Sequence, residues 1–172
     1  MKQSMVMALV GMVLAVIAAC GGSPASQVGR SPTPSPGSWI SVDEAARSVS
    51  LTLIAHYSPV NSGFNFNGYE RGRMVVTVPD GWKVTVECRN NGPVNHACTI
   101  ANGPGDTVPA FPGATSPDPV TGMQGGQSNT FTFTATPVGT YRITCPVAGH
   151  DQGGMWDTLR VVAAGLPSIS IK

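Results

Sequence analysis

The chain has 172 residues, room for one domain of ordinary size and not for two joined by a long linker. Charged residues make up 11% of it and the formal net charge is +1, with no basic stripe or acidic block, so no nucleic-acid partner is expected. Its 21 Gly and 15 Pro punctuate stretches rich in Val and Thr, which favours an all-β domain with many turns over a helical bundle.

Residues 1–19 read as an export signal. Lys2 supplies a positive start, and the apolar run from Met5 to Ala19 is too short to span a bilayer comfortably and ends in small residues. Ile17-Ala18-Ala19-Cys20 resembles a bacterial lipobox, in which the cysteine carries lipid and becomes the new N-terminus; an ordinary cleaved signal with a chance cysteine is the alternative. Removing Lys2 with the signal leaves 9 basic groups (10 less one) against 9 acidic ones. Residues 20–38 then form a lipidated Cys20 and a Gly/Ser/Pro-rich linker, with a polyproline-like spacer at 31–37 that would hold a domain off a membrane surface. The expected location is extracytoplasmic, lipid-anchored to the cell membrane on its periplasmic or outer face.

The folded part is expected over 39–165, with 166–172 an unremarkable tail. Residues 41–48 suggest a short helical turn capped by Ser41 or Asp43. Strands are expected at 49–56, 74–78, 82–88, 96–100, 130–136, 139–145 and 156–162, of which 82–88 alternates strictly. Residues 63–68 read as a turn carrying two aromatics. Residues 101–128 form a long Gly/Pro-rich excursion, either functional or mobile. Seven or eight short strands with turn punctuation suggest a Greek-key sandwich.

The chemistry is concentrated between the last two expected strands, where Cys145, His150 and Met155 stand in a C-x4-H-x4-M spacing on a Gly-rich loop. A blue-copper site takes two His and one Cys in a plane with a weak axial Met. The second His must come from another strand, and His96, at a strand entry just after a turn, is the best candidate. Zinc prefers four closed ligands without a thioether, and iron–sulfur clusters need more cysteines. Cysteine arithmetic agrees. Of Cys20, Cys88, Cys98 and Cys145, lipid on the first and metal on the last leave Cys88 and Cys98 free to pair in an oxidising compartment, or to remain as two buried thiols. His56 reads as a surface or core histidine, not a ligand. Asp43, Glu44, Glu70, Asp80 and Asp151 form no pair suited to acid–base catalysis, so no enzyme is expected.

The segments Phe64-Asn65-Phe66-Asn67-Gly68, Val78-Pro79-Asp80-Gly81-Trp82-Lys83-Val84, Asn90-Asn91 before His96, and Cys145-Pro146-Val147-Ala148-Gly149-His150 through Gly154-Met155-Trp156 resemble the cupredoxins. Within that family the likeness is greatest to sulfocyanin, with rusticyanin more distant. The resemblance implies a monomeric, membrane-tethered electron carrier with one copper ion, serving redox proteins such as a respiratory complex or terminal oxidase. A copper-binding or delivery protein is the competing reading; an oxidase or nitrite-reductase fragment would need more copper ligands than three His allow. One departure stands out: cupredoxins commonly carry Asn after the first ligand His, and here it is Ala97, with Asn95 a possible substitute.

Overall fold

The computed structural model describes residues 35–172, so the expected signal, Cys20 and most of the linker lie outside the described residues. Among those described, no helix is long and apolar enough to cross a membrane. Trp39 ends a short 3-10 turn, Pro36–Trp39, ahead of the first strand. That ring is 5% exposed and packs edge-on against Tyr57 and Tyr69, with centroids 5.7 and 6.1 Å away.

Nine strands form two sheets: β1 (Ile40–Asp43), β2 (Ser48–Ala55), β3 (Met74–Pro79), β4 (Trp82–Asn90), β5 (Thr99–Ala101), β6 (Ser128–Ala135), β7 (Gly139–Thr144), β8 (Trp156–Val162) and β9 (Ser168–Ile171). One sheet has the order β1-β2-β4-β6 and the other β5-β7-β8-β3-β9, so the chain repeatedly crosses between sheets. β2 and β4 run parallel, as do β3 and β8; the other pairs are antiparallel. The alternation of β4 decides its orientation: Trp82, Val84, Val86 and Cys88 are buried, while Lys83 is exposed. Facing residues Val49, Leu51, Leu53, Val76, Val78, Phe131, Phe133, Ile143 and Leu159 complete the core.

Two expectations are corrected. Residues 41–48 hold no helical turn. Ile40 and Val42 pair with Leu51 and Val49 as β1, because β-branched residues beside an open strand edge gain more from the ladder than from one isolated turn. The cap signal at Asp43 was real but closes a hairpin: its carboxylate accepts the Ala46 N–H at 2.9 Å. Nor is the end of the chain an idle tail, since β9 pairs antiparallel with β3, Met74 opposite Ile171. β1 and β9 thus add two short edge strands to the seven expected ones, and the described residues form the expected all-β, two-sheet sandwich.

The excursion after β5 folds back along the chain it left. Ala110 N–H donates to Ile100 O at 2.7 Å, Ile100 N–H to Ala114 O at 2.9 Å and Ser116 N–H to Cys98 O at 2.9 Å. Phe111 from this excursion stacks on Phe133, with centroids 5.2 Å apart. The excursion is therefore a wall beside residues 96–100, and it reaches the first expected ligand.

Candidate metal centre

His96 stands just ahead of β5, in a two-way pairing with Met123: His96 N–H donates to Met123 O at 3.1 Å and Met123 N–H to His96 O at 2.8 Å. Cys145 directly follows β7. The loop from Cys145 to Met155 then curls on itself, His150 N–H to Val147 O at 3.0 Å, Gly153 N–H to Gly149 O at 2.8 Å and Met155 N–H to His150 O at 2.9 Å. Left-handed φ angles of 83° at Gly149 and 103° at Gly154 make this curl possible, which is why glycine stands there. Met155 comes back beside its starting point, its carbonyl accepting the Cys145 N–H at 3.3 Å.

The donors meet as a result. His150 Nδ1 lies 3.3 Å from Cys145 Sγ and His96 Nδ1 lies 3.9 Å from it. The two imidazole centroids are 4.8 Å apart, and the three donor atoms lie within 4.8 Å of one another. Cys145, His96 and Met155 are fully buried; His150 retains 8% exposure. One thiol and two imidazoles aimed at one point, in an apolar enclosure with a methionine on the same loop, fit a single copper ion by the softness of the sulfur and the number of donors. His96, Cys145, His150 and Met155 are the residues that would hold it.

Burial dominates the electrostatics. It pulls the His96 imidazole down to about 4, with His150 and His56 adding repulsion, and it lowers His150 as well. Both rings are therefore neutral, the form that binds metal. Burial pushes the Cys145 thiol up to about 11, while N–H groups of Ala97 and Val147 pull the other way. Ala97 N–H points at Sγ from 3.3 Å. Pro146, which follows the thiol, has no N–H to donate.

Two clamps hold the loop. Asp151, beside His150, is 6% exposed; its Oδ1 accepts from Arg142 Nε at 2.8 Å and from the Thr144 hydroxyl at 2.6 Å, and its Oδ2 from Gly105 N–H at 3.0 Å. The Arg142 guanidinium also sits 3.8 Å over the Trp156 ring, making Trp156 an anchor at the strand start. On the other side, Asn61 Nδ2 and an Arg71 guanidinium nitrogen donate to Gly153 O at 2.9 and 3.1 Å, and Arg71 N–H to Gly154 O at 3.0 Å. Phe64 covers the imidazoles, its centroid 4.5 Å from His150 and 6.3 Å from His96.

Cys88 and Cys98 form a disulfide with Cα atoms 5.9 Å apart, leaving buried Cys145 the free cysteine among the described residues. The bond joins β4 of one sheet to the entry of β5 in the other. Asn95 does not replace the missing Asn at Ala97. Its amide donates outward to Thr121 O at 3.0 Å, and the two ligand segments are tied by the Ala97 N–H to sulfur instead. Three neighbours of the site have roles that the sequence did not assign to them: Asp151, Phe64 and His56, whose ring lies 6.1 Å from that of His96. An acid immediately after a ligand His in a charge-poor chain was the available signal for Asp151.

A two-sheet sandwich with a buried Cys/His/His set closed by a Met-bearing loop is a cupredoxin, the class that binds one copper ion in such a site. A family model described as the Sulfocyanin (SoxE) domain matches residues 36–167, and the chain belongs to that family. Sulfocyanin of Sulfolobus acidocaldarius is 27% identical over 125 residues, which are 66% of this chain and 63% of that protein. Among solved structures, auracyanin from Roseiflexus castenholzii is similar with a TM-score of 0.47 and 24% identity, over 66% of this chain and 96% of its own. Rusticyanin is similar with a TM-score of 0.45 and 22% identity, over 72% and 87%.

Proposed function

We propose that this chain is a monomeric, extracytoplasmic single-electron carrier, tethered to the cell membrane through lipid on Cys20 and working between respiratory redox proteins. The observation that carries the electron-transfer reading is the convergence of His96 Nδ1 and His150 Nδ1 on a fully buried Cys145 Sγ, at 3.9 and 3.3 Å. Bound copper supplies a one-electron couple between Cu(I) and Cu(II). The protein's part is to keep its donors still. The Ala97 N–H fixes the sulfur, the Met123 pairing fixes His96, and the clamps at Asp151 and Gly153 fix the loop that carries His150 and Met155. Donors that do not move between redox states keep reorganisation small.

His150 is the ligand that reaches the surface, next to half-buried Val147 and exposed Ala148, while Val94 and Val120 on neighbouring loops are 47% and 56% exposed. A small apolar face of this kind suits a partner that must be released after each transfer. With His96 and His150 committed, His56 is the single imidazole left in the chain, which supports a carrier over an oxidase. The tether rests on Ile17-Ala18-Ala19-Cys20 and the Pro-rich spacer after it. Voltammetry of the copper-loaded protein tests the carrier: a reversible one-electron wave is expected, and copper lost on each reduction would point to delivery instead. Fractionation of cells tests the tether. Cys20→Ala should leave the membrane fraction or fail to be processed, and unmodified soluble protein from wild-type cells would contradict it.

A further inference from the structure

Two ring nitrogens near the metal centre are buried without a hydrogen-bond partner: His96 Nε2 and His56 Nδ1. Buried polar atoms are rarely left so, and each instance needs a reason. The two rings are neighbours, with centroids 6.1 Å apart. His96 turns Nδ1 toward Cys145 Sγ, which leaves Nε2 on the side away from the sulfur. Phe64, also against His96, has no acceptor to offer.

The backbone around His56 is shaped for its ring. His56 itself adopts a left-handed φ of 55°, a conformation seldom used by residues other than glycine. A Cβ on Gly63 would collide with the His56 ring, and one on Gly92 would lie 2.7 Å from the His56 Cβ. Two glycines from separate turns and an unfavourable φ thus converge on one imidazole. A filler for a core gap would not require them.

We propose that His56 is the outer partner of the ligand His96, its Nδ1 accepting from one bridging water that takes the His96 Nε2–H. A metal-bound imidazole normally donates its second N–H to an acceptor that fixes the ring's orientation and raises its basicity. Here that acceptor is reached through the water and is a second imidazole, just after β2. His56 is a positioning residue and not a ligand. The inference rests on the copper reading of the site.

The test uses nitrogen NMR on the full protein loaded with Cu(I), together with its reduction potential. In the wild type the His96 Nε2 proton should be visible, shifted downfield and protected from exchange. In His56→Gly, which suits the left-handed backbone, its exchange should quicken by about tenfold or more. The potential should rise, because a less basic imidazole supports Cu(II) less well. Free imidazole entering the vacated space should reverse both changes while the visible spectrum stays constant. His56→Asn, which keeps an acceptor and tolerates the same φ, should lie between the two. A blue His56→Gly protein with unchanged potential and unchanged His96 proton overturns the inference alone. A protein with no blue band overturns the copper reading and this inference with it. The wild type decides even if the variants do not fold: a His96 Nε2 proton exchanging as fast as that of an exposed imidazole rules the pairing out.

Discussion

Cys145 sits where a free thiol resists ionisation, pushed up to about 11 by burial, yet backbone N–H groups are aimed at its sulfur. The apoprotein therefore holds a protonated thiol at neutral pH, and copper uptake must displace that proton. Cys145→Ser should abolish the intense thiolate-to-copper band, and Met155→Leu should keep it while raising the potential; absorption and voltammetry read both. Asp151 carries the inner clamp. Asp151→Ala leaves the largely buried Arg142 without its carboxylate and should cost about 3 kcal/mol in a urea titration of the apoprotein. The ligands were legible because three of them share one short loop whose spacing is itself the signal. The clamps were not, because Asp151 meets Gly105 across 46 positions and Asn61 meets Gly153 across 92, which no local pattern encodes.

The elements were legible where one face is buried and the other wet. β4 shows this, and so does β6, where Phe131, Phe133 and Ala135 alternate with exposed positions. β1 and β9 escaped because each is a four-residue edge strand with little buried surface, so its identity depends on the neighbour it pairs with. The disulfide joining β4 to the entry of β5 should leave one reactive thiol in denatured, unreduced apoprotein lacking Cys20; three would contradict it. Removing the bond with Cys88→Ala and Cys98→Ala should cost about 2–3 kcal/mol.

Where β8 meets β3, Asp157 is fully buried, and its Oδ1 accepts the Met74 N–H at 2.8 Å. Burial pushes its carboxyl up to about 8; the Met74 bond opposes that shift, Glu70 adds to it and Arg73 opposes it. The folded state thus keeps a proton that the unfolded chain releases. Stability from this group is complete below about pH 4 and is lost as pH rises through about 8. His96 acts in the opposite sense, with stability present above 6.5 and lost as pH falls toward about 4. Between 6.5 and pH values above 8, the apoprotein's urea midpoint should therefore fall, and Asp157→Asn should flatten the decline.

For the molecule as a whole, the sandwich places the metal centre at the end where the loop after β7, the turn before β5 and the excursion wall meet. Gly122 of the excursion packs so closely there that a Cβ would lie 2.8 Å from Val147 and 3.0 Å from the His96 carbonyl. If cleavage precedes Cys20, 9 basic and 9 acidic groups are left on the chain. A near-neutral carrier with a small apolar contact face should exchange electrons with only modest dependence on salt. Cys145, His96, His150 and Met155 are together the residues that would hold one copper ion. Absorption and EPR spectra of the copper-loaded wild-type protein test it most directly. An intense visible band with an unusually small copper hyperfine splitting, at one copper per chain, is the expected result. A colourless Cu(II) complex with the wide splitting of an ordinary nitrogen and oxygen site would contradict it.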